Sequence, residues 1–225
     1  KAAYFFNETG SYAEFTMKIK DLASGELVGF SVEGATSVAW ANDNKTLFYS
    51  TIDNTLRSSR IHRQALDKPE GTLVYEEDDV KFTTYVYGSK TKQYIFITRS
   101  SSTTSEERYI SADRPADSFK VFLPRVQDVE YSVYPHQEKF FVRYKDKENL
   151  NGMIYEMPLT GYEDSSSWKV FVPHDKKIRI EGIDVLKEYV SLELRKNGLT
   201  EIQVKPVSGG DVKTIAFPEP VYSAW

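Results

Sequence analysis

The sequence predicts an all-β chain built as part of a β-propeller. Three observations predict it: short runs of alternating residues, turn chemistry between them, and a grouping of strands in fours. Strands alternate because successive side chains point to opposite faces, so residues two apart share one face. Phe48-Tyr49, Tyr94 to Thr98, Phe140 to Tyr144 and Tyr189 to Leu194 show this most clearly. Asn42-Asp43-Asn44, Gly88-Ser89, Asn197-Gly198 and Gly209-Gly210-Asp211 separate such runs, and Asn-Gly and Gly-Gly supply the positive φ of tight hairpins. No helical stripe longer than about ten residues is present.

In chain order, residues 1–34 supply about three strands of a first blade. A second set runs from about Thr36 to Glu76, through Ser37-Val38-Ala39-Trp40, Thr46 to Ser50, Ser59 to Leu66 and Leu73 to Glu76. A third runs from Phe82 through Tyr94 and Arg108 to Val121-Phe122. A fourth starts at Glu130-Tyr131-Ser132 and ends at Trp168-Lys169-Val170. A fifth runs from Ile180-Glu181-Gly182 to Lys213-Thr214-Ile215, and Val221 to Trp225 reads as the first strand of a further blade. First strands near Val38, Thr84, Tyr131 and Ile183 are about 46, 47 and 52 residues apart. Four strands per unit at that period is the signature of propeller blades. One such sheet cannot cover both its faces, so neighbours must stack on it. A β-sandwich is the rival arrangement of the same strands, but it has no reason to group them in fours.

Composition sets the outer bounds. The 225 residues are enough for one large all-β domain or two small ones. With 40% hydrophobic and 28% charged residues the chain can form a core, and 15 Tyr and 13 Phe favour strands. No apolar run reaches the ~20 residues of a membrane span, and Lys1 to Asn7 is too short a stretch for a signal peptide. The absence of cysteine excludes disulfides, thiol catalysis and cysteine-bound zinc. It fits the cytoplasm, although a periplasmic protein without disulfides would look the same. The net charge of -4 argues against nucleic acid as the main partner and is weakly compatible with basic peptides.

Specific text appears at Phe122 to Leu159, FLPRVQDVEYSVYPHQEKFFVRYKDKENLNGMIYEMPL, which resembles a segment of oligopeptidase B enzymes of the prolyl oligopeptidase family. Val38 to Thr51 (VAWANDNKTLFYST), Leu73 to Asp79 (LVYEEDD) and Ser101 to Asp113 (SSTTSEERYISAD) are similar to landmarks of the same family in the same order. Ile180 to Val204 and Ile215 to Trp225 extend the likeness, which begins around Tyr4 and covers nearly the whole chain. The family usually carries a histidine and a Gly-Thr pair near Arg63 to Asp67. Here Gln64 and Asp67 stand there and the loop to Leu73 is shorter, which should change one hairpin and not the fold.

The resemblance implies a seven-bladed propeller covering an α/β-hydrolase domain that holds the Ser, Asp and His of a serine peptidase cleaving short peptides after Lys or Arg. That domain is expected to come mainly from chain after the propeller, and none of it is in this sequence. The whole of residues 1–225 is then propeller, with four complete four-stranded blades and partial blades at each end. The hydrolase domain of the same parent is the expected partner and short basic peptides the expected substrate, with no nucleic acid and no membrane. An incomplete propeller would also expose strand edges and apolar faces, so self-association is expected.

No catalytic, cofactor-binding or metal residue is assigned in this sequence. Serine chemistry on a hydrolase fold needs Gly-x-Ser-x-Gly, and Gly29-Phe30-Ser31-Val32-Glu33 lacks the closing glycine. His62, His136 and His174 are read as surface or hydrogen-bonded structural residues at loops or strand ends, without the paired spacing of a zinc site. Glu76-Glu77-Asp78-Asp79 lacks the alternation and glycine of a calcium loop. It reads as a solvated turn between blades, with contact to arginines of the hydrolase domain as the alternative. Ser100 to Ser105 reads as a mobile loop, with a substrate-path role as the alternative. Trp40 and Trp168 are read as packing anchors on strands. Asn7-Glu8-Thr9 and Asn44-Lys45-Thr46 match the glycosylation triplet, as many turns do by accident. A free-standing propeller scaffold and a carbohydrate-active propeller remain as rival functions. The first would favour recurrent Trp-Asp blade ends, which do not recur here, and the second needs carboxylates converging across a cleft.

Overall fold

The computed structural model describes residues 1–7, 10, 14–219 and 222. They form five antiparallel sheets, each a meander of consecutive strands. The first sheet has three strands, β1 (Ala2–Phe6), β2 (Thr16–Lys20) and β3 (Leu27–Glu33). The second comprises β4 (Ala35–Trp40), β5 (Thr46–Ile52), β6 (Ser58–Ala65) and β7 (Thr72–Glu76). The third comprises β8 (Thr83–Gly88), β9 (Tyr94–Ser100), β10 (Ser105–Ser111) and β11 (Lys120–Val121). The fourth comprises β12 (Glu130–Pro135), β13 (Lys139–Lys145), β14 (Met153–Pro158) and β15 (Lys169–Val172). The fifth comprises β16 (Ile178–Val185), β17 (Tyr189–Lys196), β18 (Leu199–Pro206) and β19 (Lys213–Thr214). Four complete four-stranded sheets, begun by the strands at Val38, Thr84, Tyr131 and Ile183, are those the sequence predicts. Five separate sheets also dispose of the two-sheet sandwich. Apart from Tyr222, the strand expected at Val221 to Trp225 falls outside the described residues.

The chain divides into two compact units, residues 1–102 with 106–124, and residues 103–105 with 125–225. In the first unit, β5 shows why a central sheet is buried on both faces. Leu47 and Tyr49 join Met17, Ile19, Phe30 and Val32 of the first sheet. Phe48, one residue out of phase, joins Ile61 of its own sheet and Val86, Ile95, Ile97 and Ile110 of the third. The result is four consecutive buried residues, Leu47 to Ser50, where a one-faced strand would alternate. In the second unit Phe141, Ile154 and Phe171 pack on Ile180, Ile183, Val190 and Leu192. Asn197 and Gly198, at φ 52° and 82°, make the β17–β18 hairpin with the left-handed pair that such a two-residue turn needs.

Each first strand leaves one edge outside its own sheet's ladder, and the preceding segment satisfies it. Backbone does so at two places: Ala35 N–H donates to Phe15 O (3.1 Å) and Ile180 N–H to Asn151 O (2.9 Å). Serine hydroxyls at the start of a third strand do so at the other two. Ser58 Oγ donates to Thr84 O (2.6 Å), and Ser105 Oγ donates to Tyr131 O (2.8 Å) while accepting Tyr131 N–H (2.7 Å).

At Ser58 the hydroxyls form a chain whose direction is fixed, because each has one proton to give. Ser58 spends its proton on Thr84 O, so Thr36 donates to Ser58 (2.8 Å), Ser50 to Thr36 (2.6 Å) and Ser37 to Ser50 (2.5 Å). Ser37 in turn accepts Val86 N–H at 2.9 Å. Two polar groups of the β8 edge, Thr84 O and Val86 N–H, are thus closed by side chains rather than by another strand, which blunts the edge against wrong pairing.

Tyr131 is 3% exposed on the strand held by Ser105. Tyr131→Ala is expected to cost roughly 2–4 kcal/mol, in line with other large-to-small core changes. An unchanged urea midpoint would contradict this placement.

Candidate functional site

The most concentrated chemistry in the first unit lies at one end of the second and third sheets, where β5 turns into β6 and β7 leads to β8. Alternation on β9 sets it up: Ile95 and Ile97 face the second sheet, and Arg99 continues that face. Arg99 is therefore buried, at 6% exposure, and its charge must be answered there. Its guanidinium pairs with Glu77 (3.2 Å) and with Glu106, and it also donates to the Tyr75 hydroxyl. Tyr75 hands its own proton to Glu77 (2.8 Å), and burial raises the pKa of the phenol. Arg108 completes the group, 3.1 Å from Glu106 with its guanidinium 5.0 Å from the Tyr75 ring centre. The arrangement is a charge-balanced brace between two sheets.

Arg57 extends the brace to the surface. Asp53 organises its turn by accepting from Thr55 Oγ1 (2.6 Å) and the amides of Thr55 and Arg57 (2.8 and 3.2 Å). The Thr55 hydroxyl, those amides and the Arg57 charge hold its carboxyl down to about 2. Arg57 Nε donates back to Asp53 (3.0 Å), while Nη1 reaches the carbonyls of Glu77, Phe82 and Asp79 at 3.0, 2.9 and 3.3 Å. One side chain thus clamps the whole β7–β8 connection.

On the opposite face of the third sheet sits a further buried carboxyl. Glu107, 2% exposed on β10, accepts from Tyr87 Oη at 3.4 Å, and burial pushes its pKa up to about 8. Around it are stacked Tyr87 and Phe96 (5.4 Å) and the edge-on pair Tyr109 and Phe122 (6.0 Å).

Several sequence expectations are corrected here. The run Glu76 to Asp79 is not simply a solvated turn: Asp78 and Asp79 are exposed, but Glu77 is 5% exposed, because the buried Arg99 requires a counter-charge. Ser100 and Ser105 are the ends of β9 and β10, and the segment between them is tied down. Thr104 Oγ1 accepts Asp128 N–H (2.9 Å) and Thr103 Oγ1 donates to Asp128 (3.0 Å). His62 lies inside β6 and not at an end, stacked on Tyr49 with ring centres 5.1 Å apart and Nε2 3.2 Å from Thr51 Oγ1.

His136 Nε2 contacts Lys187 O at 2.9 Å, as a hydrogen-bonded structural histidine would. His62 and His136 lie in different compact units, each engaged locally. Trp40 lies on β4, whereas Trp168 caps a short 3-10 turn (Ser165–Ser167) just before β15 and donates to Tyr162 O (2.7 Å). At the departure near Arg63, the Gln64 amide donates to the carbonyls of Ala65 and Lys68 (2.7 Å each) and keeps the β6–β7 hairpin. Asn44, at φ 54°, is part of the β4–β5 turn, and the Asn7 triplet runs outside the described residues.

Among the described residues no group of three or more His, Asp or Glu side chains is placed to hold a metal ion. The cluster that sequence reasoning missed is Arg57, Tyr75, Glu77, Arg99, Glu106 and Arg108, and its arrangement suits positioning and rigidity rather than bond-breaking.

Comparison with known proteins gives this architecture a family. The model of the prolyl oligopeptidase N-terminal β-propeller domain matches residues 1–225. Protease 2 of Moraxella lacunata is 29% identical over 228 residues, covering 99% of this chain and 32% of that protein. Dipeptidyl aminopeptidase BI of Pseudoxanthomonas mexicana is 30% identical over 212 residues, covering 91% and 29%. The chain thus spans about a third of the length of these relatives. Among solved structures, oligopeptidase B from Leishmania major superposes with a TM-score of 0.84 at 23% identity, over 92% of this chain and 31% of that one. Oligopeptidase B from Trypanosoma brucei with covalently bound antipain gives 0.80 at 23% identity, over 98% and 34%. The chain belongs to the prolyl oligopeptidase family, and its sheets are blades of that family's N-terminal β-propeller domain.

Proposed function

We propose that this chain is the substrate-restricting propeller of an oligopeptidase B-type serine peptidase, which cleaves short peptides after Lys or Arg with an α/β-hydrolase domain of the same parent. The observation that carries the reading is the match of the whole chain to the family's N-terminal propeller. Protease 2, alike over 99% of the chain, supports the oligopeptidase B branch. In this reading the propeller carries no catalytic residue, cofactor or metal, and acts by exclusion. A wall excludes folded proteins only while its blades stay together, and the Arg99 brace and the Ser37–Ser58 hydroxyl chain supply that cohesion. The basic side chain of the substrate is answered by carboxylates of the hydrolase domain, since a desolvated Lys or Arg needs a paired charge. The compartment that fits is the cytoplasm, with the periplasm as the alternative.

The test uses fluorogenic Arg and Lys peptides, and a folded protein rich in the same residues. The parent is expected to cleave the peptides and spare the protein, and the 225-residue chain alone to release nothing above buffer. Turnover by the repurified chain alone, or equal cleavage of the folded protein by the parent, would sink the proposal.

A further inference from the structure

The core between the second and third sheets is left open where the β4–β5 and β8–β9 turns meet. Val86 is the last core side chain of β8, and the positions beyond it are small: Gly88 on β8, Ala41 after β4 and Ala112 after β10. With Asn42, Ser89 and Lys92 they line a cleft of about 400 Å³, within the size range of ligand sites. Asn42 fixes its mouth. The Asn42 N–H donates to Ala112 O (2.9 Å), and the side-chain amide donates to Lys92 O (2.9 Å) and to Asp113 (2.7 Å). The three segments that meet here are thus held in place in advance, which lowers the entropy cost of binding.

Folding does not explain Gly88. Its φ lies outside the positive region that calls for glycine. A Cβ built there meets nothing within 4 Å, so no neighbour requires its absence. Glycine in a strand costs stability relative to a residue with a side chain, and it often marks a place where a ligand or another backbone comes close. Gly29 of β3 is equally unconstrained, but it belongs to the first sheet and does not line the cleft.

Strand geometry says what comes close. Alternate residues of a strand turn their N–H and C=O to the same edge, and on β8 the set that leaves the ladder is Thr84, Val86 and Gly88. Thr84 O and Val86 N–H are closed by Ser58 and Ser37. Among the described residues no side chain or loop backbone closes Gly88, which is exposed. The edge is therefore open at the one residue that also lacks a side chain and borders a cleft. An unpaired N–H and C=O at an exposed strand edge is a template for an incoming extended chain.

We propose that this edge and cleft form a docking site for an extended peptide, whose backbone pairs with the N–H and C=O of Gly88 and whose aliphatic side chain enters between Gly88, Ala41 and Ala112. Backbone pairing holds any extended sequence, and the apolar floor selects the side chain. The site deepens the function proposed above, since short peptides are the substrate class named there.

The probe is a fluorescein-labelled Thr-Val-Leu-Val-Thr peptide with blocked ends, which has no Lys or Arg to be cleaved after. Fluorescence anisotropy measures its binding to the full parent protein and to the Gly88→Val and Gly29→Val variants, with urea midpoints and cleavage of Arg and Lys peptides alongside. Gly88→Val is expected to weaken binding roughly ten-fold or more, through loss of the close approach and its hydrogen bonds. Its urea midpoint should hold or rise, because valine suits a strand. Gly29→Val should leave binding unchanged. In the wild type, saturating probe should slow amide hydrogen exchange around Gly88, a readout that needs no variant. Wild-type affinity in Gly88→Val, an equal loss in Gly29→Val, or exchange that the probe does not slow overturns the site, whether or not the parent cleaves Arg and Lys peptides. Binding that depends on Gly88, in a parent that cleaves neither, supports the site and overturns the proposed function.

Discussion

Replacing Arg99 by methionine is expected to cost about 3–5 kcal/mol of stability, because it takes the guanidinium away from the buried carboxylate of Glu77 and leaves buried Glu106 with Arg108 alone. The size follows from an asymmetry. A buried ion pair adds little over a well-packed apolar pair, but removing one partner leaves the other desolvated and unanswered. Methionine keeps much of the volume, so the loss reports charge rather than a cavity. Adding Glu77→Gln and Glu106→Gln to Arg99→Met should recover part of it, since neutral amides cost far less to bury than ions. Urea midpoints of the wild type, the single variant and the triple variant measure both effects. A single-variant loss below about 1 kcal/mol would place the cluster with surface ion pairs, which contribute about that or less.

Glu107→Gln should reverse the usual direction of a substitution in a core. Burial raises the native pKa of Glu107 from 4.5 to about 8, so between those values the folded chain keeps a proton that the unfolded chain releases. Stability from this group is complete below about pH 4.5, falls as pH rises towards 8, and is flat beyond. The glutamine amide can still meet Tyr87 and has no proton to lose. Relative to the variant, the wild type should lose roughly 3 kcal/mol or more between pH 4.5 and 8.5, at ~1.4 kcal/mol per pKa unit. Urea midpoints of the two proteins that run parallel across that range would show that Glu107 does not hold its proton when folded.

The blades were legible because a two-residue period and turn chemistry are local. The brace was not, because its partners are distant in sequence: Glu77 and Arg99 are 22 residues apart, and Arg57 reaches carbonyls up to 25 residues away. Charged residues are seldom buried unless paired, so a run such as Glu76 to Asp79 reads as surface until its partner is known. One signal was available. Ile95, Ile97 and Arg99 fall on one face of β9, and Glu106, Arg108 and Ile110 on one face of β10, so alternation alone carried the charges inward.

The serine joints bear on how propellers of this kind can be recombined. Ser58 and Thr84, and Ser105 and Tyr131, are each 26 residues apart, so the segment that carries a whole joint runs from a third strand through the next first strand. That segment straddles the boundary between sheets. A crossover in the β7–β8 connection, the obvious place to separate modules, would pair a donor hydroxyl from one ancestor with an acceptor strand from another. It would also divorce Arg57 from the carbonyls it clamps. A crossover in the β8–β9 turn leaves each joint inherited intact, and the sheet itself, not the seam, becomes the place where foreign strands must learn to pair.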